Sequence, residues 1–212
     1  MRILAVSDVV VDRLYSAQLA SQIQKVDLVI GCGDLPFEYL EFLVSTLNVP
    51  VLYVPGNHDP EYNTANPSAR ADGCENLDRR VLRVKGLSLA GLGGSVRYKP
   101  GRPANQYSQT GMDMRVASFL PVLAWQRFRS GRVLDLFIAH SPPRGIHDES
   151  DAAHVGFSAF IKLIRLVKPR YFLHGHTLVY KGNLLSPVTQ MGSTTIINVY
   201  PYRMLEVEPD VQ

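Results

Sequence analysis

What most constrains this chain is a set of short runs of Val, Ile and Leu, most of which stop abruptly at Asp, Asn, His or Gly. Residues 2–6, 28–32, 51–54, 81–84, 87–92, 133–139 and 171–173 are almost wholly apolar or β-branched, as strands buried on both faces must be. In several of the gaps the apolar positions recur at helical spacing, over 16–24, 38–47, 112–128 and 157–167. The third of these contains Pro121, where a kink or split is expected. Strands alternating with helices predict an α/β domain. After Leu178 the pattern changes to strand-like stretches at 184–191, 194–199 and 203–207, divided by Gly or Pro turns, so hairpins are expected to complete a second sheet. No linker, internal repeat or charge block interrupts the chain, and residues 1–212 read as one domain.

Composition removes several classes of function. Hydrophobic residues at 46% and charged residues at 19% describe a globular chain rather than a disordered or fibrous one. No run approaches the roughly 18 apolar residues of a membrane span. The apolar start stops at Ser7 and Asp8, too short for a signal peptide. A cytoplasmic location with no membrane partner is therefore expected. Cys32 and Cys74 form no C-x-x-C pair and need form no disulfide. The net charge of +3, from 22 basic and 19 acidic residues, suits an anionic substrate. The arginines are scattered rather than gathered in a stripe, so nucleic acid is not indicated.

The strand ends carry the chemistry. They read Ser7-Asp8, Gly31-Cys32-Gly33-Asp34, Gly56-Asn57-His58-Asp59, Ala139-His140-Ser141 and His174-Gly175-His176. In α/β sheets the carboxyl ends of strands converge on one crevice, so pieces far apart in sequence can meet there. The chain has six histidines: His58, His140, His147, His154, His174 and His176. All lie in or beside these loops. Any one of them alone also reads as a hydrogen-bonded structural histidine, but scattered structural histidines would appear on the helices and in the tail as well.

GDL at 33–35, GNHD at 56–59, the lone His140 before a Pro-rich turn and GHT at 175–177 resemble, in that order, the calcineurin-like metallophosphoesterase superfamily. The segments 31–44 and 141–148 are also similar to small bacterial and archaeal members. The resemblance implies an α/β sandwich of two facing mixed sheets flanked by helices. It makes Asp34 the carboxylate bridging two metals, with Asn57, His140 and His176 completing one site and Asp8 belonging to the other. His58 would be the catalytic histidine, with Asp59 beside it to orient or charge-stabilise the imidazole.

The chemistry fits these residue types. Attack on an anionic phosphoester needs positive charge on the phosphoryl oxygens and an acidified water, which two ions about 3.5 to 4 Å apart supply. Carboxylate, amide and imidazole donors suit manganese, iron, zinc or nickel. The expected activity is hydrolysis of a phosphodiester or small phosphomonoester, with His58 as general acid. The alternative is a catalytically weak or inactive protein-binding scaffold, since the retromer subunit of the same fold uses a similar pocket in that way.

The departures from the family pattern also carry expectations. Val10 and Leu178 stand where the family has two histidines of the first site, which predicts one tight and one weak ion. Replacement ligands could come from His147, Asp148, Asp151 and His154. The same residues also fit a capped loop leading into the helix at Phe157. His174 either shares the face of His176 or packs beneath the site. Arg97 and Arg144 are candidate phosphate contacts, and read equally as surface arginines.

Overall fold

The computed structural model describes residues 1–61, 66, 69–131, 134–178 and 188–208. Its elements run β1 (Arg2–Val6), α1 (Leu19–Gln22), β2 (Leu28–Gly31), α2 (Phe37–Leu47), β3 (Val51–Tyr53), β4 (Glu75–Asn76), β5 (Val81–Val84), β6 (Leu87–Leu92), β7 (Ser95–Val96), β8 (Gln106–Tyr107), α3 (Gln109–Ser130), β9 (Leu136–Ala139), α4 (Ser158–Val167), β10 (Tyr171–His174), β11 (Val188–Met191), β12 (Thr194–Asn198) and β13 (Tyr202–Glu206). One large sheet has the order β13-β1-β2-β3-β4 and the other β11-β12-β10-β9-β6-β5, while β7 and β8 pair apart from both. Both large sheets are mixed. β1, β2, β3 and β4 run parallel with β13 antiparallel at the edge; β12, β10, β9 and β6 run parallel between antiparallel β11 and β5.

Alternation along each strand sorts the apolar residues into three layers. Ile3, Ala5, Leu28, Ile30 and Leu52 face Leu89, Leu136, Ile138, Leu173 and Ile197 across the space between the sheets. Their neighbours Leu4, Val6, Val29 and Tyr53 point the other way, onto Leu19 of α1 and Tyr39, Leu40 and Leu43 of α2. On the far side Phe137, Ala139, Phe172 and Ile196 meet Met112, Val116, Phe119 and Leu123 of α3 and Phe160, Leu163 and Ile164 of α4. Each such side chain contributes roughly 1.5 to 3 kcal/mol when fully buried. Runs apolar at every position are thus what a strand needs when one face meets a sheet and the other a helix.

Several boundaries differ from expectation for local reasons. The expected helix over 16–24 shrinks to α1, because Ile23 turns extended (φ −110°) toward β2, and a 3₁₀ turn at Asp12–Leu14 precedes it. Pro121 does not split α3, which runs from the Ser108 cap, accepting from the Gly111 amide, to Gly131 in left-handed conformation. Pro121 and Ala117 both lie on the exposed face, where water can take the carbonyl that a proline leaves without an N–H. Val133 of the expected strand 133–139, and 184–187 of the stretch 184–191, lie outside the described residues. β11 and β12 join the second sheet as expected, whereas β13 crosses back to pair with β1. That edge lets Leu205 and Val207 pack on the inter-sheet core. Among the described residues no helix is long and apolar enough to cross a membrane.

Candidate metal centre

Parallel β1, β2, β3, β9 and β10 deliver their carboxyl ends to one edge of the sandwich. Asp8 and Asp34 follow the strands of the first sheet; His140 and His176 follow those of the second. At three of these four positions the backbone turns left-handed, with φ of 68° at Asp8, 56° at Asp34 and 67° at His176. Non-glycine residues adopt that region at a cost, and such strain gathers at functional sites. The turns bring one donor atom from each of Asp8, Asp34, His140 and His176 within 4.8 Å of one another. Small residues make the approach possible. A Cβ on Gly175 would stand 2.5 Å from Asp8 Oδ2 and collide with Ser7 Oγ, and one on Gly56 would collide with Asp34.

Hydrogen bonds fix each donor. His140 Nδ1 donates to the Cys32 carbonyl at 2.8 Å and Nε2 donates to Asn57 Oδ1 at 3.0 Å, with Asp34 Oδ2 at 3.3 Å, so loss of the Nε2 proton would offer that nitrogen to a cation. His176 Nε2 donates to the Ala153 carbonyl at 2.7 Å, leaving Nδ1 unshared. Asp34 Oδ1 accepts from the His58 amide at 2.7 Å, and Asp8 Oδ2 from the His176 amide at 2.9 Å. Imidazoles held on backbone carbonyls are what metal-ligating histidines need for a fixed tautomer and orientation. Two carboxylates, an amide oxygen and two such imidazoles therefore fit a divalent transition ion.

The electrostatics agree with that fit. Burial acts to lower the His140 basicity, but the charge and hydrogen bond of Asp34, the charge of Asp8 and the Cys32 carbonyl outweigh it and raise its pKa to about 9. Burial likewise opposes ionisation of Asp34, yet His140 and the His58 amide hold it down to about 2. Burial raises Asp8, against His140, Ser7 and the His176 amide. Burial dominates at His176 and lowers it to about 3. The site thus gathers negative charge and bare nitrogen around one point, and His140 takes up a proton where a cation would satisfy the same groups.

The other expected residues fall in different places. His58 is exposed, and among the described residues its imidazole has no hydrogen-bond partner; its amide, not its ring, holds Asp34. Asp59 is not directed at that ring. It is buried, and its Oδ2 accepts from the Gly56 amide at 2.8 Å and the Asp34 amide at 3.0 Å, while burial raises its pKa to about 6. His147 and His174 do not join the cluster, because they bind each other: His147 Nδ1 lies 3.0 Å from His174 Nε2. His174 Nδ1 donates to the Gly175 carbonyl and Thr189 donates to His147 Nε2 at 2.8 Å, so His147 is the hydrogen donor between the rings.

Asp148 is occupied by the Gly145 and Gly156 amides, which matches the capped-loop reading. His154 pairs with Asp151 at 3.0 Å and sets its ring 5.2 Å from that of His176. Arg97 is exposed with Nη2 at 3.5 Å from the Gln106 carbonyl, and Arg144 is exposed. Ser7 and Tyr98 support the cluster. Ser7 Oγ donates to the Cys32 carbonyl, and the Tyr98 hydroxyl accepts from Asn57 Nδ2 at 3.3 Å, turning its oxygen toward His140. Ser7 adjoins Asp8 in sequence, a usable signal; nothing in sequence ties Tyr98 to Asn57.

Known proteins agree with this architecture. The model of the calcineurin-like phosphoesterase family matches residues 1–180. One solved structure superposes with a TM-score of 0.68 at 16% identity, over 96% of this chain and 94% of its own. The TT1561 protein of Thermus thermophilus gives 0.62 at 17% identity, over 93% and 88%. At such identities the likeness is one of fold. No curated protein matches the sequence.

Proposed function

Because the chain belongs to the calcineurin-like phosphoesterase family, we propose that it hydrolyses a phosphodiester or a small phosphomonoester at the cluster formed by Asp8, Asp34, His140 and His176. The observation that carries this is the meeting of their four donor atoms within 4.8 Å, with Asn57 Oδ1 3.0 Å from His140 Nε2. These five residues would hold manganese, iron, zinc or nickel, which when bound supplies positive charge to the phosphoryl oxygens and acidifies a water. Asp34 is the residue to span two ions, since its two oxygens are held in different directions by the His58 amide and by His140.

His58, exposed and with no ring partner among the described residues, is placed to deliver a proton to the leaving oxygen. Asp59 positions it indirectly, by tying Gly56 and Asp34 into one turn. The exposed guanidinium groups of Arg97 and Arg144 suit the remaining phosphoryl oxygens. Of two ions one would be held tightly and the other weakly, because Val10 packs onto the helix-side core and Leu178 offers no donor. His154, whose ring meets that of His176, is the loop residue to supplement the weaker set.

A scaffold role is the second reading, favoured by the same loss of donors at Val10 and Leu178. Hydrolysis of bis(p-nitrophenyl) phosphate with added manganese, compared between the parent and Asp34→Asn, separates the two. Manganese-dependent turnover lost in the variant supports the enzyme. Calorimetric manganese binding with no turnover of diester or monoester probes rejects the enzyme and leaves the scaffold.

A further inference from the structure

The outer face of α3 does not look like the solvent side of a helix. Its inner residues Met112, Val116, Phe119 and Leu123 are buried against the second sheet, so at 3.6 residues per turn the opposite face should be polar. Instead Met114, Ala117, Pro121, Val122, Ala124, Trp125 and Phe128 are exposed there. Phe128 is 81% exposed, Met114 66% and Trp125 63%. Trp125 and Phe128 stack with their ring centroids 5.9 Å apart. The ridge follows a helix of about 33 Å, and a helix apolar on two opposite faces is ordinarily covered on both.

Charge identifies the cover. The sole carboxylate of α3, Asp113, is paired with Lys162 at 2.7 Å. Arg129 stands among the exposed apolar residues and Arg127 at their edge toward α4, with Arg165 and Lys168 exposed at the end of neighbouring α4. None of these four side chains has an ion-pair or hydrogen-bond partner among the described residues. A second copy of this ridge would bring more arginine and no free carboxylate. Trp and Phe flanked by cationic side chains are the composition of a helix that lies in a lipid headgroup layer.

We propose that the outer face of α3 is a peripheral docking surface for an anionic phospholipid membrane. α3 covers the flank of the second sheet, whereas the metal cluster opens at the carboxyl edge of the strands. Docking therefore leaves the cluster accessible.

Trp125 is the one tryptophan of the chain, which makes its emission a reporter of this face alone. With vesicles of equimolar phosphatidylcholine and phosphatidylglycerol, its emission should shift to the blue and saturate, and the protein should sediment with the lipid. Pure phosphatidylcholine should bind far less. The double variant Arg127→Glu with Arg129→Glu should lower partitioning by roughly tenfold or more, and Phe128→Ser should weaken it further. Both alter exposed residues, so unchanged circular dichroism and manganese binding would show the fold intact. Absence of any shift or co-sedimentation, or equal binding to both lipids, overturns the proposal. So does a shift that appears without lipid as protein concentration rises, with a doubled mass in sedimentation, which assigns the face to a second copy. A shift produced only by an acidic amphipathic peptide assigns it to a protein partner and equally overturns it.

Discussion

With no cation bound, the raised pKa of His140, about 9, keeps its imidazole protonated at neutral pH. An ion that takes Nε2 must displace that proton, so affinity should rise as pH climbs toward 9, with about one proton released from His140 at pH 7. Calorimetry of manganese binding in buffers of different ionisation enthalpy measures this directly; binding with no proton release would mean that His140 is not a ligand. Asp34→Ala should abolish binding at both sites, and Asp8→Ala should affect mainly the weaker, as metal counting would show. His58→Ala should keep its metal, because the amide that holds Asp34 survives, while losing activity by roughly 10²-fold. A metal-depleted His58→Ala protein would make the ring a ligand. The four cluster residues were legible because their types occur at strand ends. His147 and His174 were not separable from them, since which histidine faces the crevice depends on backbone conformation such as φ of 60° at His147, set by packing rather than by neighbours in sequence.

Among the elements, the loop between β9 and α4 supports the site more than it supplies it. Asp148 closes it by accepting from Gly145 at 2.9 Å and Gly156 at 3.0 Å, and within it the Ala153 carbonyl holds His176. Asp148→Ala leaves both amides without that acceptor, and should cost roughly 1 to 3 kcal/mol in denaturant unfolding. It should also weaken metal binding by loosening the tautomer lock on His176; full stability with full affinity would show the closure to be dispensable. Most strands could be read from sequence because both of their faces are buried, which leaves continuous apolar runs such as Leu136–Ala139. β4, β7 and β8 could not, since two residues carry no period. The edge chosen by β13 was equally hidden: its alternation says that one face is buried, not beside which strand.

Across the whole molecule, the donors come from two sheets whose facing sides are packed through apolar residues, Asp8 and Asp34 from one, His140 and His176 from the other. An ion held by all four would fasten the sheets together and bind only the folded state. Manganese at about a hundredfold excess over its Kd should therefore add about 2.7 kcal/mol of stability, seen as a raised Tm that chelation reverses and that Asp34→Ala abolishes. An unchanged Tm would mean that no ion bridges the sheets. The same division sets an order in time. The emerging chain offers its two carboxylates early and both imidazoles only after His176 has been made and the sheets have docked, a non-local and hence late event. Metallation would thus follow folding, and the choice of ion would be made by the finished geometry rather than by whichever cation the nascent chain meets first.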